Sequence, residues 1–229
     1  MLVAIHSFEG KLICAILIAM SNNDSYKVIT KDGFGEIVEK KSRFIGQVFH
    51  VETVQEAEEK IAMVFKKYWD ARHNCYAYVI GSGSEITKCS DNGEPSGTAG
   101  KPILEVINGS GITNILIVVT RYFGGVLLGT GGLVRAYTQA AQAGLGACEI
   151  GEMVYSQKLT LVLSYNMINN VQYYLGQKDI PIQDSRYEAD VQFDICVKES
   201  ELESVVKGLK EKTEGQINIV EGEKDFFAI

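Results

Sequence analysis

Few prolines, no C-x-x-C pair, no apolar run of bilayer length and no excess of basic charge set the first bounds on this chain. With 3 prolines and 46% hydrophobic residues, the chain falls outside the disordered class and has the composition of a globular protein. The five cysteines, Cys14, Cys75, Cys89, Cys148 and Cys196, are odd in number and scattered, which points to reduced thiols in a cytoplasmic protein. His73-x-Cys75 with Cys89 offers three zinc ligands, but no fourth stands at a finger spacing, so neither a metal nor another cofactor is expected. The apolar run Leu12-Ile-Cys-Ala-Ile-Leu-Ile-Ala-Met20 is too short to cross a bilayer. It also lacks the basic leader and the small-x-small cleavage site of a signal peptide, and no membrane partner is expected. Met20, followed by Ser21-Asn-Asn-Asp24, reads as a natural start, with residues 1–19 as an upstream extension.

The net charge of −7 excludes a protein coated in basic surface, so any binding to nucleic acid must be local. Residues 1–152 carry 14 Lys/Arg against 16 Asp/Glu, and residues 153–229 carry 8 against 13, giving −2 and −5. A basic patch therefore belongs to the first part.

In that part stands Thr120-Arg-Tyr-Phe-Gly-Gly-Val-Leu-Leu-Gly-Thr-Gly-Gly-Leu-Val-Arg135. Ile115–Val119 before it is β-branched enough for a strand buried on both faces, and Leu133–Gly144 after it reads as a helix ended by glycine. Gly129, Thr130, Gly131 and Gly132 would precede that helix, where unpaired N–H groups and the helix dipole favour an anion. Arg121 and Arg135 bracket the place. A Walker A loop is excluded, because Thr130 follows Gly129 where lysine is needed, and a dinucleotide turn is excluded because Val134 replaces the third glycine. The alternative is a tight turn that lets a helix pack closely on a sheet.

At 229 residues the chain holds one large domain or two ordinary ones. Phe34–Val51 alternates as two strands joined near Lys40-Lys41-Ser42, and Val54–Tyr68 is an amphipathic helix with Thr53 as N-cap. Asn74–Ile80 reads as a strand, residues 81–102 as a long loop, and residues 103–108 as the opening of a helix. After Gly151 the order is strand, helix, strand, strand, helix, strand: Gln157–Leu163, Asn166–Gly176, Ile180–Tyr187, Asp190–Val197, Glu199–Thr213 and Gln216–Val220. That βαββαβ order predicts a second, ferredoxin-like domain, acidic and without an obvious site, suited to packing or protein contact. The fold class is α+β, with an extension over 1–25 and domains at 26–152 and 153–229.

Two further clusters carry chemistry. The loop residues Asp91, Glu94, Ser96, Thr98 and Lys101 bring carboxylates, hydroxyls and an amine together, as general acid–base work or a flexible anion cover would need. Arg72 and His73, just before a strand carrying Tyr76 and Tyr78, interleave charge with aromatics as phosphate contact and base stacking require. The plain reading of the second is a core strand with an Arg72–Asp70 capping pair.

Four blocks, Lys40–Gly46, Asp70–Tyr76, Ser90–Pro102 and Val119–Tyr137, taken together resemble the IMPACT (YigZ) family over about residues 26–150. The remainder resembles the ferredoxin-like C-terminal domain of bacterial members, which is similar to a domain of elongation factor G. For the first domain the resemblance implies the fold shared by a small-subunit ribosomal protein, domain IV of elongation factor G and GHMP-type kinases. It also implies a role in regulation of translation without an established reaction, and hence RNA or the ribosome as partner, with a protein contact through the second domain. Carried over residue by residue, the implied surface is Lys41, Arg43, Arg72, His73, Lys101, Arg121, Gly129, Thr130, Gly131, Gly132 and Arg135. No catalytic residue is assigned. An enzyme acting on a phosphorylated small molecule or nucleotide through the 129–132 loop stays open as the alternative, and the oligomeric state is not readable from the sequence.

Overall fold

A computed structural model describes residues 25–228. The readings of the apolar run 12–20, the Met20 start and Cys14 lie outside the described residues. The chain divides into two compact units meeting between Gly151 and Glu152.

The first unit begins with strand β1 (Ser25–Lys31), whose Ile29 enters the core and whose Lys27 carbonyl accepts from Thr113 N at 3.0 Å. Strands β2 (Gly33–Glu39) and β3 (Ser42–His50) form a hairpin, as their alternation predicts. Its two-residue turn places Lys40 and Lys41 at φ 44° and 65°. Positive φ at both central residues gives the twist that matches the flanking strands, here without the usual Asn-Gly. Strands β4 (His73–Ile80), β5 (Ile86–Ser90) and β6 (Ile115–Tyr122) complete an antiparallel sheet of order β2-β3-β6-β4-β5. Strand β5 corrects the long-loop reading of 81–102. Its segment Ile-Thr-Lys-Cys-Ser is short, mostly exposed and at the sheet edge, so nothing forces a period-2 apolar pattern on it.

Helices cover both faces. Helix α1 (Val54–Lys67) lays Ala57 and Val64 on Tyr78, Leu116 and Val118. Helices α2 (Gly100–Ser110) and α3 (Gly129–Leu145) cover the other face, built on Phe44, Val48, Cys75, Ala77, Ile117 and Val119. Because β6 is buried on both faces, its sequence is the continuous apolar run expected of such a strand. Close approach sets α3 on the hairpin: a Cβ at Gly46 would stand 2.1 Å from the Ala140 carbonyl oxygen. Tyr137 of α3 meets Phe44 edge to face, centroids 5.2 Å apart, a pair worth about 1 kcal/mol beyond its burial.

The second unit takes over within strand β7 (Glu149–Leu163). It continues through helix α4 (Ile168–Gln177), strands β8 (Ile182–Tyr187) and β9 (Val191–Lys198), helix α5 (Leu202–Lys212) and strand β10 (Asn218–Ala228). Strands pair antiparallel in the order β10-β7-β9-β8, the split-βαβ topology that the element order predicts. Leu159, Leu161, Phe193 and Ile195 alternate onto one face and meet Val171, Leu175, Val205 and Leu209 of the two helices. On the opposite face, Asp194 accepts from Thr160 Oγ1 at 2.6 Å and from Arg186 at 3.1 Å. Each unit thus carries a sheet with helical cover, and in the first unit helices lie on both sheet faces.

Candidate anion-binding cleft

Where β4 begins and β6 ends, the sheet face under α3 changes from apolar to polar. His73 stands directly opposite Arg121 in the ladder, and both side chains lie on the face shared with Cys75. Arg121 is 6% exposed. Burying a guanidinium requires a partner, and Glu94, 9% exposed, supplies it: Nη1 donates to Oε1 at 2.6 Å. The same carboxylate oxygen accepts from Tyr137 OH at 2.9 Å and lies 4.0 Å from His73 Nε2. Phe44 and Phe123 lie beside the guanidinium, with ring centroids 5.4 and 5.5 Å from Cζ. Arg121 Nε is buried and has no hydrogen-bond partner among the described residues.

The loop that delivers Glu94 is held by its neighbours. Asp91 accepts from Gly97 N at 2.8 Å, Ala99 N at 3.0 Å and Gly100 N at 2.9 Å. Burial opposes ionisation of Asp91, but these three N–H donors together outweigh it and hold the carboxyl below its usual range. Two of the three belong to the start of α2, so Asp91 caps that helix from eight and nine residues upstream. The acid–base reading of Asp91 therefore gives way to a structural one. Helix α2 also starts at Gly100, not at 103, because this remote cap replaces a local one. His73 Nδ1 lies 2.8 Å from the Asn92 carbonyl, so that nitrogen carries the hydrogen. Cys75 Sγ lies 2.9 Å from the Asp91 carbonyl and 3.4 Å from Tyr137 OH. Burial pushes the Cys75 thiol up to about 12, which leaves it protonated and unreactive at neutral pH. The Tyr137 phenol is likewise pushed up by burial and stays a donor.

Above this network opens a cleft of about 450 Å³ whose walls include Arg72, His73, Arg121, Phe123, Gly129 and Thr130. The size suits a small ligand or one nucleotide. Helix α3 opens directly onto it. The helix is 17 residues long, starts at Gly129 instead of Leu133, and has neither a side-chain cap nor an acid in its first turn. Gly129 has φ 70°, and nothing lies within 4 Å of where its Cβ would be. Its requirement is conformational, not close packing. The sequence reading of Gly129–Gly132 as a stretch before the helix is corrected: they are its first turn.

The structure brings together Arg72, His73, Arg121, Gly129 and Thr130 and leaves the other expected residues outside the cleft walls. Arg43 points to the other sheet face, where Glu36 binds it at 2.8 Å and the Tyr122 ring lies 5.9 Å away. Lys41, Lys101 and Arg135 are exposed and make no ion pair among the described residues, and Gly131 and Gly132 lie in the first turn of α3. Tyr76 and Tyr78 pack against the α1 cluster, so they offer no stacking surface beside His73. Asp70 accepts from Tyr122 OH at 2.8 Å and does not cap Arg72. The aromatic that does flank the cleft is Phe123, 42% exposed, next to Leu127, 83% exposed. Sequence reasoning passed over Phe123 and Tyr137. For Phe123 the available signal was its place two residues after Arg121; Tyr137 gave none, because it meets Glu94 only across 43 residues of chain.

Fold and site define a two-unit α+β protein with a cleft beside the start of α3 in its first unit. The model of the Impact N-terminal domain matches residues 40–145, and that of a domain of unknown function, DUF1949, matches residues 161–216. The chain is 39% identical to the IMPACT family member YvyE of Bacillus subtilis over 199 residues, which span 87% of this chain and 92% of that protein. It is 36% identical to the IMPACT family member YigZ of Escherichia coli, over 79% of this chain and 90% of that one. Protein IMPACT of Danio rerio is 33% identical over 41% of this chain and 30% of its own length. The crystal structure of a hypothetical protein superposes with a TM-score of 0.58 at 33% identity, covering 89% of this chain and 100% of that one. The chain belongs to the IMPACT family. Among the described residues no helix is long and apolar enough to cross a membrane.

Proposed function

We propose that this protein is a non-enzymatic RNA-binding module, acting on translation in the cytoplasm, and that the cleft between β4, β6 and α3 is where RNA phosphate enters. One observation carries the reading. An open helix N-terminus, the exposed Arg72 and the exposed ring of Phe123 meet at one cleft, while its carboxylate, Glu94, is already neutralised by Arg121. Phosphate is drawn by the first two groups and a base stacks on the third. Lys101 and Arg135, exposed on the two helices of the same face, extend the positive field beyond the cleft. The acidic second unit adds no attraction for RNA and suits contact with a protein, as on the ribosome.

Binding of a short single-stranded oligoribonucleotide, followed by anisotropy at graded salt, tests this. Each phosphate contact steepens the loss of affinity with salt by about 0.7 in the log–log slope for single strands. Arg72, Lys101 and Arg135 changed together to Ala should weaken binding at least tenfold and flatten that slope. Unchanged binding in the triple variant would remove the cleft face from the reading.

A second reading, an enzyme acting on a phosphorylated small molecule, draws on His73 Nε2 and Glu94 Oε1 standing 4.0 Å apart beside the same helix start. It requires turnover of a nucleoside phosphate that His73→Gln abolishes while binding persists. Absence of turnover, with or without magnesium, leaves the RNA module as the function.

A further inference from the structure

Strand β2 lies at the edge of the first sheet, and no strand pairs with its outer side among the described residues. Which groups it shows there follows from its turn. The two-residue turn at Lys40 and Lys41 makes Glu39 and Ser42 a hydrogen-bonded pair, and such pairs alternate along an antiparallel ladder. Gly33, Gly35, Ile37 and Glu39 therefore turn their N–H and C=O groups to β3, while Phe34, Glu36 and Val38 turn theirs to the free edge. The side chains of these three share the sheet face away from α3, since Gly35 and Ile37 lie on the α3 side. On that face Phe34 is 54% exposed and Val38 65%. Natural sheets guard such edges with charge, proline, bulges or brevity. Three other edge strands here are guarded: β5 has five residues and carries Lys88, and the pairings of β8 and β10 are each broken by a register shift. Strand β2 has seven residues, neither proline nor lysine, and an unbroken register with β3.

We propose that the free edge of β2 takes a second copy of this chain, strand to strand and antiparallel, about a two-fold axis at Glu36. The symmetry of the strand selects this occupant. Pairing centred on Glu36 sets Phe34 against the second copy's Val38 and Val38 against its Phe34, two aromatic–β-branched pairs of the kind that stabilise sheets. In the same register the three residues whose backbone groups point outward meet one another, so each free donor finds an acceptor. A shift of two residues either way sets an apolar side chain against Glu36. At the axis Glu36 faces its own copy, and Arg43 of each chain donates to its own Glu36 at 2.8 Å, which removes the repulsion. The helical layer accommodates the same axis. Helix α3 crosses β2 and β3, for a Cβ at Gly35 would stand 2.3 Å from the Ala143 carbonyl carbon and one at Gly46 2.1 Å from the Ala140 oxygen. With strands about 4.8 Å apart, the two α3 helices lie about 10 Å apart across the axis, an ordinary spacing for packed helices. Two five-stranded sheets become one continuous sheet through an isologous contact. This interface is independent of the cleft and of what the cleft binds.

Sedimentation of the full chain over about a hundredfold range of concentration, on the micromolar scale of small interfaces, tests it. The mass should rise from one chain to two, and the amides of Phe34, Glu36 and Val38 should gain protection from hydrogen exchange in step with it. Phe34→Lys sets a charge against Val38 of the second copy and should stay monomeric throughout, with those amides unprotected. The Phe34 side chain is exposed, so this variant folds. Phe34→Leu keeps the apolar pair and should keep the dimer. A parent chain that remains monomeric overturns the proposal. So does a dimer that persists in Phe34→Lys or leaves the three amides of the parent unprotected, because its interface then lies elsewhere. Growth beyond two chains overturns it as well, since a two-fold contact uses up the edge.

Discussion

Helices α1 and α3 pack on opposite faces of one sheet, and their N-termini are finished in opposite ways. At α1 the chain closes its own helix: Thr53 Oγ1 accepts from Glu56 N at 3.1 Å, and Glu56 reaches back to accept from Glu52 N at 2.8 Å. This is close to a capping box, with both donors met inside five residues. At α3 no side chain caps the first turn, no acid stands in it, and glycines expose its N–H groups to a cleft. Helix α2 lies between the extremes, for Asp91 caps it from a loop. Helices α4 and α5 of the second unit also lack side-chain caps, but each is entered through a turn of 3-10 helix. An open helix start thus acquires meaning from what surrounds it. At α3 the surroundings are Arg121 and Arg72.

The comparison can be broken in four places. The largest effect belongs to Arg121→Met, which leaves Glu94 buried without its cation and should lower stability by about 3–5 kcal/mol in urea unfolding. Unchanged stability would mean that Tyr137 alone satisfies Glu94. Next comes Asp91→Ala, which uncaps α2 and frees three backbone donors, with an expected loss of about 2 kcal/mol. Because the folded-state carboxyl of Asp91 is depressed, its contribution is present above the ordinary carboxylate value of about 4 and fades as the pH falls through the lower folded-state value. The deficit of Asp91→Ala against the parent should therefore shrink in acid, and a deficit independent of pH would contradict the capping role. Thr53→Ala should cost about 1 kcal/mol, the ordinary value of a local cap. Smallest, and opposite in sign, is Thr130→Glu, which should raise the thermal stability by about 0.3–1 kcal/mol by meeting the helix dipole. A loss there would show that the start of α3 is not open in solution.

The three helix starts also measure how far the sequence could be read. Thr53 was legible because cap and helix are adjacent in the chain. The start of α2 was not, since its cap sits eight residues away and in place of a local signal there are Thr98-Ala99-Gly100. Strand β5 escaped for a related reason: an exposed edge strand needs no alternation, and only its pairing with Tyr76–Ile80 defines it. For the second unit, six segments read in order gave the right topology, because each strand buries one face and each helix one stripe. Its ends were less legible, and β10 continues to Ala228 where the apolar alternation stops at Val220.

The cleft shows the same division more sharply. Arg121 and Arg135 looked alike as flanking cations, yet one is buried in an ion pair and the other is exposed on α3. Arg43 looked equally available and is turned to the far face beside Glu36. Strand parity alone would separate Arg43 from Arg121 once the register is known, because Phe44, not Arg43, stands opposite Arg121.

By itself the sequence determined the α+β class, the βαββαβ order of the second unit, the local cap of α1, the more acidic charge balance of the second part and the family blocks. These depend on periodicity, charge and short-range chemistry, which act between neighbours in the chain. Only the tertiary structure decided that Glu94 spends the charge of Arg121 across 27 residues, that Asp91 is a cap and that Arg72, His73 and the first turn of α3 share one cleft. The physical reason is that a charge or a donor has no fixed role until folding sets what lies within a few ångströms of it, and that distance is unrelated to separation along the chain.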